Sequence, residues 1–370
     1  MPQIIAKRVS NYELFYDLVF VLAISKLTSL LHQPHFQLQN FLVYLSAFVG
    51  ILSVWFFQTI YINKYAHIDR NDVYGIIALM FIVGQMAINM TNTPSTAILL
   101  LYQVLYASAY GVILVLYLLR RRRYGTESDM AYNLKILSTI VIFHLLMALL
   151  TLIGLLKVSH IIFFFPFLPL FLVSLTRPKQ QAPVNFPHLV ERCQLITIIS
   201  FGETVIALVS NYPLDKFPAE SLIFFLGMAF LFVIYISQTY LNMDHHQEAQ
   251  ASRLIFSHIS LIMGLNLFTI AVELFPHHLN SVSLTYFLAG LSIFYLSLLS
   301  NSSYNKEEFQ ISKSQLAAYL LLLALALVLI WLVRKYLLAI ALIFLILSYS
   351  MAHVGYVYRQ AARRRQAKSN

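Results

Sequence analysis

The sequence predicts an all-α polytopic membrane protein, with about 12 transmembrane helices arranged as two parallel six-helix repeats. Three observations predict it. First, the 370-residue chain is 59% hydrophobic and only 11% charged, and it is made largely of apolar runs of bilayer-crossing length, about 20 residues. Lipid offers backbone groups no hydrogen-bond partner, and runs this long satisfy them as helices rather than as a barrel. Second, Lys and Arg gather in alternate connections between the runs, as orientation signals do. Third, short motifs recur at a nearly constant offset of 180 residues.

In chain order the apolar spans are 13–31, 39–62, 74–92, 95–119, 134–156, 160–175, 193–210, 218–241, 254–275, 282–299, 314–333 and 336–356. The sixth is short and holds Pro166 and Pro169, so it is kinked or only partly spanning. Ten spans with two re-entrant segments is the alternative. With the N-terminus in the cytoplasm, 20 of the 25 Lys and Arg lie on the inner side and four on the outer, with Lys26 inside a span. That asymmetry predicts an even number of spans with both termini cytoplasmic. The Arg120–Asp129 connection reads as a polar, mobile loop, and the basic tail after Tyr358 as an orientation signal. No cleaved signal peptide is expected, because the short N-terminal stretch runs straight into Glu13.

The repeat rests on a few matches. Gln58-Thr59 corresponds to Gln238-Thr239, and Ile82-Val83-Gly84 to Ile262-Met263-Gly264. Tyr61 and Asn63 match Tyr240 and Asn242, and Glu13 matches Glu191. Six spans per half give both halves the same orientation, a parallel repeat about an axis along the membrane normal. The predicted halves are 1–180 and 181–370.

The residues that can carry chemistry are few. Glu13 and Asp17 lie four apart, on one face of the first helix. Two carboxylates there each need water, a proton or a cation, unless both are merely solvated in the headgroup zone. Glu191 and Arg192 open the seventh span, and Glu203 follows Glu191 by about 18 Å of helix, near the bilayer centre. Ser200, Glu203, Thr204 and Ala207 share a face. Glu203 is read as functional, against the alternative of a protonated strut between helices. Lys26 reaches a depth similar to Glu203, so either the two pair or the lysine extends outward. Gln85 and Asn89 share a face of the third span, and Asn266 holds a similar place in the second half; such amides line cavities or join helices equally often. Asn63, Asp69 and Asp72 form an inner-face polar cluster, with Asp69 and Asp72 placed to cap the next helix. His144, His258 and His353 read as core histidines, and Asp244-His245-His246 as a solvated turn. One cysteine, Cys193, permits no internal disulfide. No cofactor motif and no nucleic-acid signature is found, and whether a metal binds is left open.

The opening Glu13-Leu-Phe-Tyr-Asp-Leu-Val-Phe-Val21, the Glu191-Arg192 pair and Gly202-Glu203-Thr204 resemble the bacterial low temperature requirement A proteins. An ELFFDLVFV-like opening and a later ER…LGES-like segment recur there in this order. The resemblance includes Tyr61-Ile-Asn63 and Asp69 and covers most of the chain. It implies a multi-span plasma-membrane protein linked to growth in the cold, with no settled molecular activity. Lys26 departs from the pattern, which more often has a neutral polar residue there. Phe15-Tyr16-Asp17 is also similar to the Phe-Ser-Asp of lysosomal potassium channels.

These features predict a transporter or ion channel, its path lined by buried acids between the two repeats. The alternative is a membrane-embedded enzyme acting on a lipid or polyprenyl-phosphate substrate at the cytoplasmic face, where paired acids could hold Mg²⁺. A packing or sensing scaffold is a third reading. The expected partners are the lipid bilayer, an unknown small solute or ion, and possibly further copies of the chain.

Overall fold

The apolar side chains of this protein face outward as well as inward. On the first helix, α1 (Asn11–Leu30), the buried residues are Glu13, Tyr16, Asp17, Phe20, Ala23, Ile24 and Leu27, while Leu14, Phe15, Leu18, Val21 and Leu22 are exposed. The i, i+3, i+4, i+7 spacing of the first set makes one stripe. That stripe holds both carboxylates, and the opposite face is apolar, as a helix whose outer solvent is hydrocarbon requires.

The computed structural model describes residues 6–33, 35–126, 129–156, 160–176, 182–212, 219–248 and 251–369. The remaining α-helices are α2 (Leu38–Lys64), α3 (Arg70–Ile88), α4 (Thr96–Tyr124), α5 (Met130–Leu152), α6 (Leu168–Leu175), α7 (Phe186–Asn211), α8 (Ala219–Ile236), α9 (Ala251–Leu274), α10 (Ser281–Ser300), α11 (Lys313–Leu332) and α12 (Leu337–Ser369). No strand occurs among the described residues; Met243 and Asn305 form an isolated antiparallel bridge. A π-helical turn, Ser237–Asn242, extends α8.

Among the described residues ten helices are long and apolar enough to cross a bilayer, against the twelve spans expected. One of the two left over is α1, which is 20 residues long but carries Glu13, Asp17 and Lys26. The other is the sixth segment, a 3-10 stretch (His160–Phe167) containing Pro166, followed by the eight-residue α6. A proline has no N–H for the helical ladder and clashes with the preceding turn, so the segment breaks there. The polar loop read at 120–129 is also shorter than expected. Helix α4 runs on through its arginines to Tyr124, and Gly125 ends it at φ +91°. The basic tail is likewise the end of α12 rather than a separate coil. Lys157, Arg177, Lys179 and Lys216, which enter the orientation argument, lie outside the described residues, as do Glu127 and Ser128.

The chain divides into two compact units: Met1–Leu31 with Phe36–Ile196, and His32–His35 with Thr197–Asn370. The division falls inside α7. In the first unit α1 packs on α3, α3 on α4, α4 on α5, and α2 on the 3-10 segment. In the second, α9 packs on α10, α8 on α12, and α11 on α12. The outer half of α7 joins α9 through the Thr204–Thr269 hydroxyl pair, 2.7 Å. The α9–α10 crossing depends on two glycines. A Cβ on Gly264 would stand 2.6 Å from the Phe294 backbone nitrogen, and one on Gly290 would stand 2.6 Å from that of Phe268. Small residues let membrane helices approach to backbone contact, where dispersion and weak polar contacts replace the hydrophobic drive that lipid does not supply.

Candidate functional site

Three helices of the first unit each contribute residues one turn apart. These are Glu13 and Asp17 on α1, Trp55 and Thr59 on α2, and His188 and Arg192 on the first turns of α7. Their side chains meet in a cluster from which solvent is excluded: Glu13, Asp17, Thr59, His188 and Arg192 are all 0% exposed.

Arg192 is its centre. Its Nη2 donates to Asp17 Oδ1 at 2.8 Å and to Thr59 Oγ1 at 3.3 Å, and its Nη1 to Glu13 Oε1 at 3.3 Å. The guanidinium also lies 6.0 Å from the Tyr16 ring centre and 5.8 Å from that of Trp55. The planar fork suits this task, because it bonds two acceptors in fixed directions and tolerates aromatic neighbours. Trp55 Nε1 donates to the same Asp17 Oδ1 at 3.0 Å.

Glu13 is held from both ends of its carboxylate. Its Oε2 accepts from the Ser10 backbone nitrogen and hydroxyl, each at 2.8 Å, which closes a capping box on α1. Its Oε1 takes His188 Nε2 at 2.8 Å. The tautomer follows from Asn63, whose Oδ1 accepts from the Asn185 nitrogen and whose Nδ2 donates to the Asn185 carbonyl. That amide is therefore oriented with Nδ2 toward His188 Nδ1, 3.0 Å away. Nδ1 accepts, so the imidazole proton sits on Nε2 and points at Glu13. At the edge of the cluster Lys7 Nζ donates to the carbonyls of Ile62 and Ala66 at the end of α2. Burial pulls the Lys7 ammonium below the ordinary lysine range, and the charges of Glu13 and Asp72 act the other way.

The charges do not cancel. Among the groups in direct contact, two carboxylates face one guanidinium and a neutral imidazole; the further cation, Lys7, stands at the edge and is bonded to the α2 carbonyls. Asp17 Oδ2 has no hydrogen-bond partner among the described residues, and neither do the Tyr16 hydroxyl or the Gln58 amide, all buried. A dry carboxylate oxygen beside an excess negative charge is a place for a proton or a cation.

The second unit has a different polar seam. Thr204 on α7 bonds Thr269 on α9. On α9, Asn266, Thr269 and Glu273 form one stripe. Asn266 is 1% exposed, and its Nδ2 lacks a partner. Glu203 is buried, and Glu273 lies within electrostatic range of it. No arginine enters this stripe.

Other expected site residues are placed apart. Glu191 is exposed and accepts from the Val9 nitrogen at 3.4 Å. Lys26 is exposed and forms no ion pair among the described residues. Asn89 ends α3, its side chain bonded to the Gln85 carbonyl, and Gln85 is half-buried on the same helix. Asp69 and Asp72 close a capping box on α3; Asp72 also accepts from Tyr61 at 2.6 Å, and Asp69 from Arg123 at 2.8 Å. The inner-face cluster is thus divided, with Asn63 in the Arg192 network and the two aspartates engaged as helix caps. No group of three or more His, Cys, Asp or Glu among the described residues could hold a metal ion. His188, Trp55, Thr59 and Glu273 were not singled out from the sequence. The i, i+4 spacing of His188 and Arg192 was a signal for the first; nothing local marks the others.

The model of the bacterial low temperature requirement A protein family (LtrA) matches residues 8–349, a stretch that holds every residue of both polar seams. The chain belongs to the LtrA family. A comparison with curated proteins gives no match. The LtrA chain is a multi-pass membrane protein that is helical throughout its described secondary structure and carries one buried polar seam in each unit.

Proposed function

We propose that this LtrA protein is a transporter or ion channel of the bacterial plasma membrane that moves a cation or couples transport to a proton. The observation that carries the reading is the uncompensated charge at Asp17. Arg192 neutralises one carboxylate of two, and a buried oxygen of Asp17 is left without a hydrogen bond. An ion pair kept for packing alone would leave no such oxygen, because each unsatisfied buried acceptor costs about 1–3 kcal/mol. Of the acids that the enzyme reading would use, Glu13, Asp17 and Asp69, the last is engaged in capping α3 and in a bond to Arg123, apart from the other two.

The two-repeat arrangement belongs to the same proposal. It is supported by equivalent pairings within each unit: first with third helix, third with fourth, and second with the sixth segment. Cytoplasmic termini are supported by the basic residues at the end of α12, and a reporter fused after Asn370 tests them. Activity of a periplasmic-type reporter there would overturn that topology.

The function is tested by flux in proteoliposomes over a panel of monovalent cations and an imposed pH gradient. Wild type is expected to carry at least one of them. Asp17→Asn, which keeps the shape and removes the charge, is expected to abolish that flux at near-normal membrane abundance. Full flux in the variant would mean that Asp17 only buttresses Arg192.

A further inference from the structure

The basic end of α12 forms one wall of a second site, remote in sequence from the Arg192 cluster. Gly355, Tyr358, Arg359, Ala362 and Arg365 follow helical spacing along one face and line a polar cavity of about 710 Å³. Its opposite walls are the π-helical turn at Asn242, the 3-10 turn Glu307–Phe309 and the first turn of α11. The cavity leads into a narrower pocket of about 40 Å³ that reaches Gln238 and Tyr319. Asn242, Gln315, Gly355 and Arg359 line both, and so mark the neck where the two meet.

The neck is rich in donors. Arg359 is half-buried, and its guanidinium forms no hydrogen bond or ion pair among the described residues. Gln315 Nε2 donates to the Tyr319 hydroxyl oxygen at 3.3 Å, which leaves the phenolic proton free to point elsewhere. A Cβ built on Gly355 would stand 3.1 Å from the Tyr319 hydroxyl and 3.4 Å from Arg359 Nη1. The missing side chain is what lets the phenol and the guanidinium converge over the helix backbone. Glu307 and Glu308 are exposed on the rim and line only the wider cavity.

We propose that this neck binds a phosphate-bearing anion, through Arg359 and Tyr319 over Gly355. A guanidinium fork matches the tetrahedral oxygens of a phosphate with two parallel bonds. A half-buried arginine without a carboxylate partner is a group still lacking its counter-charge. Arg363, Arg364 and Arg365 follow on the same helix end, where the potential attracts anionic headgroups as well as soluble anions. The phosphate can come from a lipid headgroup or from solution, and the experiment separates the two.

Full-length protein in detergent is titrated with inorganic phosphate against chloride at matched ionic strength, with thermal melting as readout. In parallel, protein in nanodiscs of phosphatidylglycerol or phosphatidylcholine is analysed by native mass spectrometry for retained lipid. A phosphate-specific rise in melting temperature supports a soluble anion, and selective retention of phosphatidylglycerol supports a headgroup. In either case Arg359→Gln is expected to weaken binding on the order of 10- to 100-fold, the usual range for charge-assisted bonds. Gly355→Val fills the neck without removing charge, and it is expected to lose binding at unchanged net charge. The proposal is overturned if wild type shows neither preference. It is also overturned if Gly355→Val binds as wild type does, because the anion would then be held outside the neck, by the arginines that follow on the helix end.

Discussion

The two units handle buried polarity in opposite ways. In the first, carboxylates on α1 face an arginine from α7, and a tryptophan, a threonine and a histidine complete the shell. In the second, Glu273 lies within electrostatic range of Glu203, and the Thr204–Thr269 hydroxyl pair joins α7 to α9. The matched glycines diverge as well. Gly264 is wedged against the backbone of α10, whereas a Cβ on Gly84 would meet only Val19, at 3.7 Å. Residues matched by spacing between the two halves of the sequence therefore occupy unlike environments. In the first unit an arginine and its hydrogen bonds hold the carboxylates in place; in the second the close backbone approach of α9 and α10 does much of the holding.

The largest expected effect comes from removing the arginine. Arg192→Leu strands Glu13 and Asp17 as unpaired buried charges, and a loss of about 3–5 kcal/mol is expected. It would be seen as collapse of the folded, monodisperse fraction after extraction and as a steep fall in melting temperature. Glu273→Gln in the second unit should have the opposite sign. It removes one of two like charges in electrostatic range of each other, and a gain of a few tenths to about 1 kcal/mol is expected for this half-buried group. If both variants destabilise alike, the contrast between the units is wrong.

The glycines come next. Gly264→Val forces a side chain into the backbone of α10, which cannot yield without parting the helices, and a cost of about 1–3 kcal/mol or more is expected. Gly84→Ala makes only an ordinary van der Waals contact with Val19 in a helix interior and should be neutral or stabilising by about 0.5–1 kcal/mol. Melting curves of the two variants in the same detergent decide the matter, and equal losses would show that α3 is as tightly packed as α9.

The smallest effect is at the hydroxyl pair. Thr204→Val removes the 2.7 Å bond to Thr269 while preserving volume. Hydrogen bonds between membrane helices average about 0.6 kcal/mol, so a shift near the resolution of a melting experiment is expected. A loss several times larger would mean that the pair anchors a wider network in that seam.

Much of the architecture was legible in the sequence. Apolar runs of bilayer length predict helices because a backbone in lipid has no other way to satisfy its hydrogen bonds. Charge inside such a run must find a partner, and Glu13, Asp17 and Arg192 are buried together. The break in the sixth segment follows from Pro166 and Pro169. The count of spans was not legible, because α1 is long enough to cross and yet too charged to register as apolar.

What the sequence by itself determined is local: which stretches are helical, and which stripe of each helix is polar. Side-chain direction along a helix depends only on a fixed rotation per residue, so spacing alone puts Glu13 and Asp17 on one face. Only the tertiary structure decided how those faces meet. Glu191 and Arg192 are neighbours about 100° apart around α7, and nothing in their order says which one turns inward. Docking against α1 and α2 selects Arg192, leaves Glu191 exposed, and brings Trp55, Thr59 and His188 to carboxylates far away in sequence. Partner choice of this kind depends on the summed packing of whole helices, and no window of sequence contains that sum.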